Sequence, residues 1–338
     1  MEAASPYARE VALLDRASLA RTIVVLAALA VLPFVANAFL LDLANQVLLA
    51  VIGSLALMLL TGFAGQISLG TAGLLAAGAY SVGILSHDAG APVWVTLPAA
   101  ALVGATLGLV FGLPSLRLRG LYLAISTLGL HFIVVYFGGE YETRQQLATG
   151  LTVDPPSVLG FALTSDRGWY FVFLAGACLT LLIVKNLLRS RTGRAWQTLR
   201  EREVVASAIG IDVQRYKLYA FVVSSTLLAL AGALFAYFRS FVSIDAFSLY
   251  LTVQYLAMVI IGGMGTVPGA ILGAAFVILL PYGIEAFAAL LPARVGNMVF
   301  ALDYAAFGLV MILFLLFEPR GLVGIARRLA AARGKGRP

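Results

Sequence analysis

Charge is scarce in this chain of 338 residues: Asp, Glu, Lys and Arg together make up 12% of it, about half the share found in an average soluble domain. Hydrophobic residues make up 61%, which is more than a water-soluble globule of this size can bury. These proportions exclude an ordinary soluble enzyme and a disordered chain. They predict a polytopic membrane protein.

Residues that carry chemistry are also few. There is one cysteine, Cys178, and two histidines, with no zinc-ligand spacing and no nucleophile elbow. A Gly-x-x-x-x-Gly-Lys-Ser/Thr phosphate loop is absent as well, so we expect the chain not to bind ATP itself. The sequence therefore predicts no enzyme, no metal site and no cofactor. We also expect no cleavable signal peptide, because the first apolar run starts only after Arg21.

The apolar residues fall into segments long enough to cross a membrane, for which about 20 residues are needed. We predict an all-α membrane bundle of about ten transmembrane helices, at residues 22–40, 43–61, 68–86, 92–113, 121–138, 169–188, 218–238, 249–261, 269–291 and 298–317. The eighth is short and ends in glycines, which is typical of a broken or re-entrant segment. The predicted organisation is a cytoplasmic segment at 1–21, a transmembrane domain at 22–317 with a cytoplasmic loop at 189–217, and a basic cytoplasmic tail at 318–338.

The distribution of basic residues predicts the orientation, because cytoplasmic loops carry the excess of Lys and Arg. With ten spans and both termini in the cytoplasm, 19 of the 23 basic residues lie inside and four lie outside. The net charge of +7 is therefore a topology signal, and the tail is expected to lie against anionic lipid. Nucleic-acid binding is the weaker alternative, since no basic face is interleaved with aromatic residues.

Two glycine-rich stretches resemble each other at an offset of 200 residues: Met58 to Gly70, and Met258 to Ala270. In both, an apolar helix ends in a glycine-rich break and the chain then turns back into the membrane. Interrupted helices at corresponding places point to a transport path, and the pair predicts an internal pseudo-repeat. The alternative is a chance match among the 34 glycines, which are common in membrane helices.

The segment 189–217 is the only long polar insert on the predicted inner side. Thr192 is expected to cap a helix that begins near Gly193, with Trp196, Leu199 and the Val204–Val205 pair at helical spacing. A second short helix is expected from Glu203, ending at Gly210. Short amphipathic helices of this kind fit a groove on a partner. The alternative is a plain connecting loop with solvated charges.

Polar groups within the spans are the candidates for lining a translocation path: Gln66, Ser68, Thr71, Thr127, His131, Gln254 and Thr266. Each of them has an alternative role in helix packing. His131 is an ionisable group in the middle of a span, where it is a functional candidate by default. We favour the alternative, a neutral histidine hydrogen-bonded to a neighbouring helix.

Four stretches together resemble the permease subunits of branched-chain amino acid ABC importers, of the LivM type. They are 60–70, 116–129, 193–218 and 318–324, and the resemblance extends from about Gln46 to Ile325. It implies that the insert carries a coupling helix for an ATPase subunit. The implied coupling residues are Gly193, Arg194, Arg200, Glu201, Glu203, Ala206, Ala208 and Gly210. Val205 stands where the family has alanine, and Ser207 where it has an acid.

The resemblance also implies partners and a location. The partners are a second homologous permease subunit, two cytoplasmic ATPases that bind the ATP, and an extracytoplasmic binding protein. The location is the bacterial inner membrane. Branched-chain amino acids are the expected substrates, and urea, short amides or small carboxylates are alternatives within the family. A stand-alone secondary transporter is the rival hypothesis, although it would need an intramembrane ion site and the spans hold few charges.

Overall fold

The computed structural model describes residues 16–116, 118, 120–146, 150–158 and 161–288, and separate positions between 305 and 328. These residues are mostly helical. The long helices are α1 (Arg16–Val35), α2 (Ala38–Leu57), α3 (Thr71–Ala89), α4 (Val93–Ser115), α5 (Leu121–Arg144), α6 (Asp166–Arg189), α9 (Val213–Arg239), α10 (Leu249–Gly262) and α11 (Val267–Ala288). Two short helices, α7 (Arg191–Glu201) and α8 (Glu203–Ala208), lie between α6 and α9.

Helices α2 and α9 form the centre of the bundle. α2 is mostly buried and packs against α6, α9 and α11, while α9 packs against α2, α3 and α4. In α4, α5, α6 and α11 a third or less of the apolar stretch is buried within the chain. Among the described residues nothing covers the outer faces of these four helices, which suit contact with lipid or another subunit.

Glycine allows α3 and α9 to approach each other closely. A Cβ added at Gly78 of α3 would overlap the backbone of Ala229, and one added at Gly232 of α9 would overlap the backbone of Leu75. Small residues at such crossings let backbones meet, because packing drives helix association in a membrane. The α3–α9 crossing is therefore fixed by two reciprocal glycine contacts.

Both predicted glycine breaks are present. α2 continues into a π-helical turn, Met58–Phe63, and the chain passes Gly65, at φ +70°, before α3 begins. α10 ends at Gly262, and Gly265, at φ +78°, precedes α11. The left-handed conformation favours glycine, so the offset of 200 residues aligns two positions with the same backbone requirement. The second break is shorter than the first and lacks the π-helical turn.

Nine of the ten predicted segments overlap described helices, namely α1 to α6 and α9 to α11, although the first two segments were placed four to six residues too late. The tenth, at 298–317, lies largely outside the described residues. Six described helices are long and apolar enough to cross a membrane: α2 with its π-helical turn, α4, α5, α6, α9 and α11. α10 has 14 residues, about 21 Å of helix, too short for a core of about 30 Å. The chain is thus a multi-pass helical membrane protein, and the total of ten spans stays a prediction.

Short strands form where no strand was predicted. β1 (Leu151–Thr152) pairs antiparallel with β4 (Phe241–Val242), and β2 (Ser157–Val158) pairs with β3 (Phe161–Ala162). The β1–β4 pair follows the carboxyl end of α9, whereas α7 and α8 precede its amino end. The 27 residues of α9 separate these two regions by about 40 Å.

Candidate functional site

The polar insert folds into two helices that are tied to the bundle. Ser190, not Thr192, caps α7: its Oγ accepts a hydrogen bond from Thr192 N at 3.1 Å, and the helix starts at Arg191 rather than near Gly193. The predicted cap was two residues too late because Ser190 also ends α6, leaving no linker between the helices. A Cβ at Gly193 would overlap the Leu188 backbone, so glycine is required where α7 folds back on α6.

Trp196 anchors α7 to the start of α9. It is fully buried, its Nε1 donates to Tyr216 O at 2.8 Å, and its ring stacks on Tyr219 with centroids 5.9 Å apart. Leu199, one turn along the helix, is buried as well. A buried tryptophan combines a large apolar contact with one hydrogen bond, and α7 is therefore held rigidly against α9.

An ion pair and an amide hydrogen bond connect α8, α9 and the first glycine break. Lys217 of α9 pairs with Glu203 of α8, and the side chain of Lys217 is only 8% exposed. Gln66 Nε2, in the first break, donates to Lys217 O at 3.2 Å, and Thr61 Oγ1 donates to Gln66 O at 3.2 Å. Gln66, predicted to line the path, thus joins the first break to the start of α9. Lys217 was missed because one lysine among many basic residues carries no signal in the sequence.

α8 presents an apolar surface to solvent. Val204 is 76% exposed, Val205 45% and Ile209 65%, whereas Ala206 on the opposite side is fully buried. The sequence placed Val204 and Val205 on one apolar face with Trp196. The structure corrects this, because the chain bends at Arg202, which has an extended backbone, and starts a new helix. We call Val204, Val205 and Ile209 the α8 patch.

The other predicted coupling residues lie on α7, on α8 and in the turn that follows α8. Ala208 and Gly210 are exposed, and Gly210, at φ +84°, follows the end of α8 as predicted. Arg194 and Glu201 are exposed on α7, where Arg194 Nη1 donates to Arg189 O at 3.2 Å. Arg200 is exposed too, but its backbone and side chain lie against the first break at Gly65.

The two glycine breaks contact each other. Gly265 N donates to the sulfur of Met58 at 3.2 Å, and a Cβ at Gly62 would lie 2.8 Å from Gly265 N. A third segment packs against the second break, since a Cβ at Gly321 would lie 2.6 Å from both Ile261 O and Gly263 N. Gly321 belongs to the C-terminal stretch that carried the family resemblance, and no sequence pattern indicated its contact with the second break.

Five of the candidate path residues form structural contacts. Thr127 Oγ1 accepts from Leu69 N at 2.8 Å, Ser68 Oγ accepts from Gly70 N at 3.3 Å, and Thr266 Oγ1 donates to Gly263 O at 2.9 Å. Gln66 makes the bond to Lys217 O described above. His131 is buried where α5 meets Gly73 of α3. These positions fit the helix-packing alternative.

Two of the candidate path residues carry a buried polar atom without a hydrogen-bond partner. His131 Nδ1 and Thr71 Oγ1 have no hydrogen-bond partner among the residues that the structure describes. The histidine that we expected to bond a neighbouring helix therefore makes no such bond through Nδ1 within these ranges. The His131 ring makes an edge contact with Phe132 at 5.4 Å between centroids.

Gln254 lies in a cavity of about 180 Å³ at the opposite end of the bundle from α7 and α8. The walls come from α2, α3, α9, α10 and α11 and are mainly apolar, with Leu49, Phe235 and Leu251 among them. Gln46 and Gln254 supply amide groups and Arg239 supplies a guanidinium, and Gln46 Nε2 donates to Asp42 Oδ2 at 2.7 Å. An apolar cavity of roughly 150 Å³ holds a benzene-sized molecule, so this space suits one small hydrophobic side chain.

Comparison with known proteins gives a consistent result. A family model described as "Branched-chain amino acid transport system / permease component" matches residues 39–315. The high-affinity branched-chain amino acid transport system permease protein LivM is 32% identical over 288 residues in Salmonella typhimurium, covering 77% of this chain, and 32% identical over 276 residues in Escherichia coli, covering 75%. The chain spans 65% and 62% of the lengths of these two relatives.

The name of a further relative refers to a different kind of transported molecule. The autoinducer 2 import system permease protein LsrC of Salmonella typhimurium is 29% identical over 196 residues, which is 54% of this chain and 53% of that protein. No solved structure matches the chain significantly.

Proposed function

The chain belongs to the family of branched-chain amino acid transport permease components, and we propose that it is the membrane-spanning subunit of an ATP-driven importer. In this proposal a separate ATPase docks on the α8 patch, a second permease subunit completes the translocation path, and a binding protein delivers substrate on the far side. The complex would lie in the inner membrane, with the termini and the α7–α8 segment in the cytoplasm.

The α8 patch is the observation that carries this proposal. Exposed apolar groups on a polar segment are characteristic of a protein contact, and α8 is tied to the bundle through Ala206 and the Glu203–Lys217 pair. A partner that moves α8 therefore also displaces α9. ATP-driven closure would shift the bundle between two access states.

The cavity supports the choice of substrate. Its largely apolar walls suit a hydrophobic side chain, and Gln46, Gln254 and Arg239 offer polar groups to the charged ends of an amino acid. Urea, short amides and small carboxylates lack the apolar surface that such walls would bury. We therefore propose branched-chain amino acids as the transported molecules.

Docking is tested with a charge in the patch. Val204→Asp would force a carboxylate into the contact, and we expect at least about tenfold weaker co-purification of the ATPase, because an unpaired buried charge is costly. Thr152→Asp is the matched control: Thr152 is exposed in β1, about 40 Å away along α9. Equal retention of the ATPase by both variants would contradict docking on α8.

Transport is tested in proteoliposomes, with labelled leucine added to the external medium. We expect uptake only when the ATPase, the second permease, the binding protein and ATP are all present. Uptake by this chain alone under an ion gradient would instead establish the secondary-transporter hypothesis. Uptake that requires ATP but prefers urea or an amide would refute the substrate assignment and leave the importer intact.

A further inference from the structure

Arg200 lies where α7 touches both glycine breaks. It is in the last turn of α7, and its Cα and Cγ are each 3.3 Å from the position that a Cβ on Gly65 would take. Its Nη1 occupies the place of a Cβ on Gly265. One residue thus packs its backbone on the first break and its guanidinium on the second.

The conformations of the two glycines make this contact possible. Gly65 and Gly265 occupy equivalent positions of the pseudo-repeat and both have a left-handed φ, which an L-residue with a side chain adopts only with strain. Because they have no side chains, these two positions present bare backbone. The arginine fills the space that both glycines leave open.

The charge of Arg200 suits the ends of the helices that it meets. α2 with its π-helical turn and α10 both end at the breaks, and the last carbonyls of a helix carry partial negative charge and lack intrahelical partners. Gly62 O is 3.1 Å from the same Cβ position at Gly265 that the guanidinium occupies. A cation is therefore favoured at this place.

We propose that Arg200 is a positioning residue that couples α7 to both halves of the pseudo-repeat, so that a displacement of α7 moves the two breaks together. This inference rests on the proposed function, since it assigns the route by which ATPase movement reaches the transmembrane helices. It differs from the role implied by the family resemblance, in which Arg200 is part of the surface that the ATPase binds.

The test separates ATPase binding from energy coupling. Arg200→Gln is compared with Arg191→Gln, which removes the same charge from an exposed position at the start of α7. In the reconstituted complex we expect Arg200→Gln to retain ATPase affinity within about twofold while leucine uptake per ATP hydrolysed falls about tenfold, in the range of couplings between distant sites. Arg191→Gln should keep both values, and Arg200→Lys should restore part of the uptake.

A contact between Arg200 and Gly265 makes a second, independent prediction. Gly265→Ala places a methyl group where the guanidinium lies and should lower coupling on its own. If both changes act through one contact, uptake per ATP in the double variant will be about as low as in the worse single variant. Independent changes would instead multiply their two fold-losses. The same cycle on the thermal unfolding midpoint of the purified chain tests the contact without any partner.

Three results would overturn the inference. One is a loss of ATPase affinity in Arg200→Gln, which would make Arg200 a docking residue. Another is unchanged uptake per ATP in that variant when it purifies as a folded, monodisperse protein. The third is strict additivity of Arg200→Gln and Gly265→Ala in the unfolding midpoints. If wild-type chain binds no ATPase at all, the proposed function fails, but the unfolding cycle still decides whether the contact exists.

Discussion

The Glu203–Lys217 pair predicts an unequal response to two single changes. The Lys217 side chain is 8% exposed and that of Glu203 is 28% exposed. Glu203→Gln leaves an ammonium group buried without its counter-ion, for which the penalty is roughly 3 kcal/mol, at the low end of values for broken buried pairs. Lys217→Met leaves a carboxylate on a partly exposed side chain, so its cost is smaller, about 1–2 kcal/mol.

Removing both charges should restore most of the loss. A neutral, well-packed replacement of a buried ion pair is often close to neutral in stability, so the variant Glu203→Gln with Lys217→Met should lie within about 1 kcal/mol of wild type. The quantity to measure is the opening free energy of the α8 amides and the first turn of α9 by native-state hydrogen exchange, because these elements open locally without unfolding the bundle.

An exposed pair in the same region provides the control. Arg215 and Asp212 are 2.8 Å apart with side chains 87% and 48% exposed, and Arg215→Gln should cost at most about 1 kcal/mol, as exposed pairs do. If the two single changes at Glu203 and Lys217 simply add in the double variant, the groups are not energetically paired. The account of how α8 is attached to α9 would then be wrong.

Three further predictions concern packing and the cavity. Trp196→Phe keeps the ring stack but loses the hydrogen bond from the indole to Tyr216 O, and hydrogen exchange should show α7 opening more easily by about 0.5–1.5 kcal/mol. Gly78→Ala should lower the unfolding midpoint of the purified chain, because its methyl group meets the Ala229 backbone. Gly129→Ala is the control: no atom lies within 4 Å of the new group, so the midpoint should stay unchanged or rise. Equal effects of the two changes would contradict the α3–α9 crossing. Ala231→Phe fills the cavity and should reduce leucine uptake without releasing the ATPase, whereas unchanged uptake would separate the cavity from the path.

The sequence was informative where the physical signal is local. Long apolar runs predicted nine helices close to their observed places, because a membrane leaves few alternatives for such segments. The glycines that end α2 and α10 predicted the two breaks, and Gly210 predicted the end of α8, since left-handed backbone strongly favours glycine. Trp196 and Leu199 were recognised as apolar positions of one short helix, and both are buried.

The contacts between distant segments were not predictable in this way. Nothing in the local pattern indicates that Gln66 bonds to Lys217 O, that Gly321 meets Gly263, or that Arg200 reaches both breaks. The sequence also assigned Val204 to the same face as Trp196, because helical spacing continues across Arg202 although the helix does not. Single residues such as Lys217 acquire their roles only when the chain topology places them beside a partner.

The polar contacts and the cavity lie at different ends of the same helix. α9 begins near the Glu203–Lys217 pair and contributes Ala231 and Phe235 to the cavity wall, and Lys217 is about 21 Å along the helix from Ala231. α9 has no proline to absorb a bend, so a tilt of about 5° at its amino end displaces Ala231 by roughly 2 Å. A cavity of about 180 Å³ changes shape substantially under such a shift. A tilt of α9 imposed through α8 is therefore expected to alter the shape of the cavity.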